Sequence, residues 1–428
     1  MTETMKDSGQ EWIGAIPESW DTNRICYCLN EINVKNSPVK TEQILSLVKD
    51  KGVMLYEEKG DVGNKAKEDI TGYKVAFPNT LIVNSMNILI GSVGISKYKG
   101  CVSPVYYVFR EKDNSDLRFV NYIFNTREFQ KELRKYANGI LEIRLRVSAT
   151  DIFNRKIPLP PKEEQIKIAD FLDEKCAEID NLSEDIQKQI DILNDYKKSV
   201  ITRAVTKGLN PNVKKKDSGQ LHIGDIPEEW EIVRVKDVFK MQSGFTPDSK
   251  RTDYYDDVNG FNWVTIADIN KKSDLPETTK SKISKKYIEA FHPRIAKAGS
   301  LLYSFKLSIG QVAFVKKDTY TNEAIISFSC KDTRNLRFLK YSSSLIEYNA
   351  NTNIYGSKIL NQQLIGNAHI TLPPIDEQDH IADYLDDFTA KMSDIIDEKN
   401  NQLEKIDLYK KSIIYEYVTG KKRVKGAL

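Results

Sequence analysis

The chain has 428 residues, 40% hydrophobic and 29% charged, with 64 Lys and Arg against 61 Asp and Glu for a formal net charge of +3. That length leaves room for two or more domains with separate cores, and no apolar run approaches the ~18–20 residues of a membrane span. The N-terminus lacks the basic stretch and apolar core of a secretory signal, so a cytoplasmic protein with no membrane partner is expected.

Lys6 to Trp20 (KDSGQEWIGAIPESW) return at Lys216 to Trp230 (KDSGQLHIGDIPEEW) with 11 of 15 positions identical. Ile157 to Thr206 return at Ile370 to Thr419 without a gap, 20 of 50 identical. The stretches between, Asp21 to Lys156 and Glu231 to His369, hardly resemble each other. A repeated framework with unlike cargo is the plan of a two-headed reader.

In the first variable stretch, short strands are expected at Ile44 to Val48, Val53 to Tyr56, Leu81 to Val83, Ile88 to Ile90 and Val102 to Phe109, with glycines between them. Cys26 and Cys28 read as alternate residues of a strand, since a lone C-x-C without a second pair or nearby His is poor evidence for zinc. No metal site and no cofactor are expected. Leu117 to Lys135 carries apolar residues at helical spacing and predicts one amphipathic helix. The second stretch repeats the plan, with strands at Phe261 to Ile266, Ser300 to Ser304, Gln311 to Val315 and Ala324 to Ser329 and a helix over Leu336 to Asn349.

Each head is followed by a proline pair, Pro160-Pro161 or Pro373-Pro374, then by a stretch free of Pro and Gly until Gly208 or Gly420. Proline suits a first helical turn, acidic residues suit the positive end of the helix dipole and glycine suits the stop, so two helices of about 45 residues are predicted, each ~65 Å long. Leu172, Ile179, Ile186, Leu193 and Val200 fall seven apart, with Leu182, Ile190, Tyr196 and Ala204 beside them. Leu385, Met392, Ile406 and Ile413 keep that period in the second helix, with Lys399 as the one polar interruption and Ile395, Ile396, Leu403, Tyr409 and Tyr417 beside them. Such seams ask for a partner helix. Because each head precedes its own helix, a closed pseudo-twofold object requires the two to pair antiparallel.

The I-P-x-x-W motif, the L-P-P-x-x-E-Q-x-x-I-A-D-x-L-D helix start (Leu159 to Asp173, Leu372 to Asp386) and the segment Gly91 to Phe109 together resemble the specificity subunit of type I restriction-modification systems. The resemblance implies an α+β fold: two mixed α/β target recognition domains separated by two long antiparallel helices forming a pseudo-twofold coiled coil. The divisions expected are 1–156 and 211–369 for the heads and 157–210 and 370–428 for the spacer helices. It implies double-stranded DNA and two methyltransferase subunits as partners, with a restriction (translocase) subunit as a further candidate. Each head would read one half of a bipartite site, and the helices would set the spacer. The first head departs from the family at Asn79-Thr80, where Gly-Asp is common, so a different turn is expected there. The other head resembles a different type, with Ser243, Gly244, Thr246 and Pro247 in a G-x-T-P loop and Thr321 to Glu323 in a T-N-Q-like turn.

Duplex DNA calls for cations at phosphates and polar side chains on loops at base edges. In the first head the candidates are Ser92 and Gly94, which permit close backbone approach, Lys97, Tyr98 and Lys99 on a turn, and Arg134, Asn138, Arg144 and Arg146 in a basic, turn-rich segment. In the second they are Ser243 and Thr246, then Lys306 and Ser308 in what reads as the matching turn before Gly310, and Asn351, Asn353, Tyr355 and Lys358 in the place of the first head's Asn138 segment. Lys271 to Lys286 is a further lysine cluster that solubility alone could explain.

No N-P-P-Y-like methyltransferase motif and no G-x-x-x-x-G-K-[ST] phosphate loop occurs, so a non-catalytic subunit is expected. The alternative from another class is a two-headed protein-binding scaffold without DNA specificity.

Overall fold

The computed structural model describes residues 4–49, 51–60, 65–139, 145–269, 275–306, 308–332, 334–353 and 356–424. Contacts divide the chain into two compact units, Met1–Gln187 with Asn400–Leu428, and Lys188–Lys399.

In the first unit β1 (Met5–Asp7) and β2 (Ala15–Pro17) form a small antiparallel hairpin, followed by β3 (Asp21–Arg24) and β4 (Leu29–Glu31). Ile25–Tyr27 is a 3-10 turn, not the strand expected around the cysteines. Cys28 is buried there, and burial, then the neighbouring Cys26, pushes its thiol up to about 12 against the pull of Lys112. β5 (Leu45–Val48) and β6 (Gly52–Leu55) make a hairpin. β7 (Lys74–Ala76), β8 (Thr80–Asn84), β9 (Val93–Ser96), β10 (Gly100–Val102) and β11 (Tyr106–Glu111) follow.

Three expectations fail here for local reasons. Ile88–Ile90 is a 3-10 turn that buries Ile88, exposes Ile90 and is closed by left-handed Gly91. The strand expected over Val102 to Phe109 is split in two around Ser103-Pro104-Val105, where proline has no N–H for a ladder. The single helix expected over Leu117 to Lys135 is two, α1 (Leu117–Phe124) and α2 (Arg127–Arg134), because the Thr126 hydroxyl caps the second by accepting from Phe129 N–H. Asn79 turns at φ +57°, doing the work a glycine would do. The unit continues with α3 (Ala149–Phe153), β12 (Lys156–Leu159), which pairs with β3, and α4 (Lys162–Lys207).

The second unit runs through β13 (Lys215–Asp217), β14 (Asp225–Pro227), β15 (Glu231–Arg234), α5 (Val235–Val238), β16 (Lys240–Ser243), β17 (Phe261–Val264), α6 (Ile266–Ile269), β18 (Lys282–Ile283) and α7 (Lys285–Phe291). Then come β19 (Leu301–Ser304), β20 (Val312–Phe314), β21 (Tyr320–Thr321), β22 (Ile325–Ser329) and α8 (Arg334–Ser342). The expected helix over Leu336 to Asn349 gives way after Ser342 to a 3-10 stretch, Ser343–Asn349. β23 (Asn351–Thr352), β24 (Lys358–Ile359), α9 (Gln362–Asn367), β25 (His369–Leu372) and α10 (Ile375–Val418) complete it.

Although their sequences barely align, the heads share a sheet. The orders β4-β11-β8-β9 and β16-β22-β19-β20 are the same arrangement, antiparallel throughout. The flanking pairs also correspond, β3 with β12 and β15 with β25. Alternating burial explains how different sequences satisfy one sheet: Leu81 and Val83 face one core and Ile82 the other, as do Leu301 and Tyr303 against Leu302.

α4 and α10 have 46 and 44 residues, and within each unit the segments present run antiparallel. In the first, Phe171 stacks on Tyr417 at 4.5 Å and Asp180 pairs with Lys410 at 2.6 Å. In the second, Tyr196 meets Phe388 edge-on at 5.8 Å and Lys197 donates to the Ser393 hydroxyl at 3.1 Å, while the Thr371 hydroxyl of β25, just ahead of α10, donates to the Val205 carbonyl near the end of α4. The heptad seam is well buried at Leu172, Ile179, Leu385 and Ile413; of the residues expected beside it Ile190 and Ala204 are buried, whereas Leu182, Tyr196, Ile395 and Tyr409 are exposed.

Each helix end closes on a repeated tryptophan. Gly420, at φ +71°, stands over Pro17 and Trp20, and the Trp20 indole N–H donates to Glu164 at 3.0 Å. Arg423 pairs with the same carboxylate at 2.7 Å, and Lys421 donates to the Ile13 and Ala15 carbonyls, both 2.8 Å away. In the second unit Gly208 adjoins Trp230, whose N–H donates to Glu377 at 2.8 Å, and Lys207 donates to the carbonyls of Ile223 and Asp225. Lys-Gly in one copy and Gly-Lys in the other make the same lock.

Candidate nucleic-acid interface

Antiparallel sheets put successive turns at opposite ends, so strand order decides which loops can act together. In the second head the C-terminal end of β19 gathers the turn after Ser304, the G-x-T-P loop after Ser243 and the Thr321 to Glu323 turn. The last two are in backbone contact. Gly244 N–H donates to Ile325 O and Phe245 N–H to Thr321 O, while a Cβ on Gly244 would lie 2.1 Å from the Thr321 carbonyl oxygen. The β23–β24 hairpin joins this end through Glu347, which pairs with Lys358 at 3.3 Å and lies against Gly310. The Ser243 hydroxyl reaches Gln362, at the start of α9, at 3.0 Å. Ser243, Thr246, Lys306, Ser308, Asn351, Asn353 and Lys358 therefore share one end of one sheet. Below them Tyr303 is buried, and burial reinforced by Glu347 drives its phenol well above the ordinary range.

The first head splits its candidates. The turn equivalent to the one carrying Lys306 and Ser308 joins β8 to β9, residues 85–92, and holds Ser92. The Lys97-Tyr98-Lys99 turn joins β9 to β10 and belongs to the other end of the sheet, beside Thr80; reading it as the match of Lys306 and Ser308 is corrected on topology. Lys97 and Lys99 are exposed there, while Tyr98 packs on the cluster around Leu45 and Leu47. Gly94 is buried, and a Cβ on it would meet Gly52 Cα at 3.1 Å, so the close approach it permits is to β6.

Asn138 and Arg146 pair backbone to backbone, both bonds 2.8 Å, closing a hairpin in the register of Asn351 with Ile359. It adjoins the 85–92 turn: Val147 N–H donates to Ser85 O, and the Arg146 guanidinium lies 3.8 Å from the Met86 sulfur. Arg134, exposed, ends α2. Arg144, Tyr355, Lys271 and Lys272 lie outside the described residues.

Sequence reading passed over a cleft of about 730 Å³ at this end of the first head, between the β5–β6 hairpin and the 85–92 turn. Lys49, Lys59, Lys65 and Lys67 line it together with Asn84, Asn87, Ser92 and Ser103 and with apolar residues such as Leu45, Leu47 and Ile90. Cations and hydrogen-bonding groups lining one cleft suit a polyanion whose edges must also be read. Among the described residues no His, Cys, Asp or Glu cluster could hold a metal ion, and no helix is long and apolar enough to cross a membrane.

The family description "Type I restriction modification DNA specificity domain" matches residues 29–192 and 227–405. The MjaVIII type I restriction enzyme specificity subunit of Methanocaldococcus jannaschii is 27% identical, over 96% of this chain and 95% of that protein. The putative MjaX type I restriction enzyme specificity subunit of the same organism is 27% identical over 96% of each. A solved chain described under the structural basis of complex assembly and conformational transition of the type I R-M system shares the fold, with a TM-score of 0.69 at 14% identity over 95% of this chain and 99% of that one. Two matched domains, each one head and its share of the long helices, make this chain a member of the type I restriction-modification DNA specificity family, a recognition subunit without catalysis of its own.

Proposed function

We propose that each head reads one half of a bipartite DNA site through this loop end of its sheet, and that α4 and α10 set the spacer and dock two methyltransferase subunits. Specificity subunits of this family work in complexes with DNA and methyltransferase subunits. The observation that carries the finer reading is one sheet built twice, with different loops at the same end of each copy. The first head offers the lysine-lined cleft with Ser92, Asn138 and Arg146; the second offers Ser243, Thr246, Lys306, Ser308, Asn351, Asn353 and Lys358. Lys97, Tyr98, Lys99 and Arg134 are left to phosphates flanking the half-site, and Gly94 to the scaffold. Exposed Leu182, Ile192, Leu408 and Tyr409 supply apolar flank for protein partners. Joining two heads makes binding bivalent, since one engaged head raises the local concentration of DNA at the other.

The test is a heptad inserted at equivalent points of both helices, with co-expression of the cognate methyltransferase subunit and mapping of modified adenines. The spacer should lengthen with both half-sites unchanged; an unaltered spacer rejects the ruler. Binding of the wild-type complex should also weaken linearly in log salt as phosphate counterions are released.

A further inference from the structure

Inside the dissimilar stretches one short pattern recurs: Leu117-Arg118-Phe119-x-x-Tyr122 and Leu336-Arg337-Phe338-x-x-Tyr341. Leucine and phenylalanine are buried in each head's core, while arginine and tyrosine, four apart and so on one helix face, turn to the long helix. There they meet the two aspartates of the repeated A-D-x-L-D segment. Arg118 pairs with Asp170 at 2.7 Å and Asp173 at 2.9 Å, and the Tyr122 hydroxyl donates to Asp173 at 2.7 Å. In the second unit Arg337 pairs with Asp383 at 2.7 Å and Asp386 at 3.1 Å, Lys340 with Asp386 at 2.7 Å, and the Tyr341 hydroxyl donates to Asp386.

We infer that this latch is a positioning device that fixes the angle between each head and its long helix, and thereby the sharpness with which the complex distinguishes one spacer from another. The inference rests on the ruler reading proposed for α4 and α10. The Arg118 side chain is 38% exposed, Asp170 61% and Asp173 47%, and ion pairs so wetted contribute little net stability. What a guanidinium shared between two carboxylates does supply is direction. One base pair more displaces a half-site by ~3.4 Å and about a tenth of a turn, so a head free to rock on apolar contacts would accept neighbouring spacers. The two latches are unequal: Arg334 adds contacts to Asp376 and Asp379 at 3.5 and 3.8 Å in the second, whereas among the described residues Arg118 is the cation of the first. The first head is the looser.

The full chain would be co-expressed with its methyltransferase subunit as wild type, Arg118→Ala, Arg337→Ala and the double variant, and methylation compared at sites with the native spacer and with one base pair more or fewer. Discrimination is expected to fall in the double variant, and further in Arg118→Ala than in Arg337→Ala, with methylation of native sites and the melting temperature nearly preserved and Arg118→Lys restoring part of the loss. Variants as sharp as a sharp wild type overturn the latch alone; a wild type indifferent to spacer overturns the ruler and the latch with it. Should the alanine variants fail to assemble, Tyr122→Phe with Tyr341→Phe, each losing one hydroxyl, carry the same comparison, and undiminished sharpness there overturns the latch.

Discussion

Gly420→Ala tests how tightly the end of α10 closes on the first head. At φ +71° any side chain costs ~1–2 kcal/mol. The added Cβ would also lie 2.4 Å from Pro17 Cδ, 2.7 Å from Pro17 Cγ and 3.0 Å from Trp20 Cζ3. Trp20 is 0% exposed and has nowhere to move, and overpacking of that kind costs ~1–3 kcal/mol. A total of about 3 kcal/mol in a unit of this size lowers the melting temperature by roughly 6–12 °C. If the tail lets go instead, the bonds of Lys421 and Arg423 are lost and the direction is the same. Gly9→Ala is the control: φ +67° but nothing within 4 Å, so only the backbone term of ~1–2 kcal/mol applies. Melting followed by tryptophan fluorescence distinguishes them, and equal losses in the two variants would refute the packing argument.

Further outcomes follow from the second unit. Gly244→Ala places a Cβ 2.1 and 2.3 Å from the carbonyl oxygens of Thr321 and Asn322, so adenine mapping should show the second half-site lost and the first retained. Trp230→Phe removes the donor to Glu377, and a bond to a charged acceptor is worth ~1.5–3 kcal/mol, to be read as a lower urea midpoint. Burial raises the Asp386 carboxyl, but bonds from Lys340, Tyr341 and Arg337 outweigh it and hold the group below its ordinary value. Its contribution is therefore complete above the unfolded pKa of ~3.9 and disappears as pH falls through the lower folded value. Asp386→Asn should flatten the acid limb of a stability profile below about pH 4 and leave its pH dependence from 6 to 8 unaltered.

The duplication, the two long helices and their stops were legible in the chain, because a seven-residue apolar period without Pro or Gly admits one backbone form and left-handed glycine marks its end. The hairpins at Asn138 and Asn351 were legible as equivalent places, being equally spaced from the repeated helix start. Periodicity misread Leu117 to Lys135, since the apolar spacing continues across a break that only the Thr126 cap reveals. It also misread Ile88 to Ile90, where three apolar residues make a turn as readily as a strand. Which loops share an end of the sheet was beyond it altogether. Lys97 to Lys99 and Lys306 to Ser308 are alike along the chain, and pairing alone sends them to different ends. The Arg118 and Arg337 latches join residues about 50 apart. Local sequence determines which elements form, through side-chain period and caps; their mutual placement is set by hydrogen-bond pairing and core packing between distant residues, and that placement decided which polar groups could meet a ligand together.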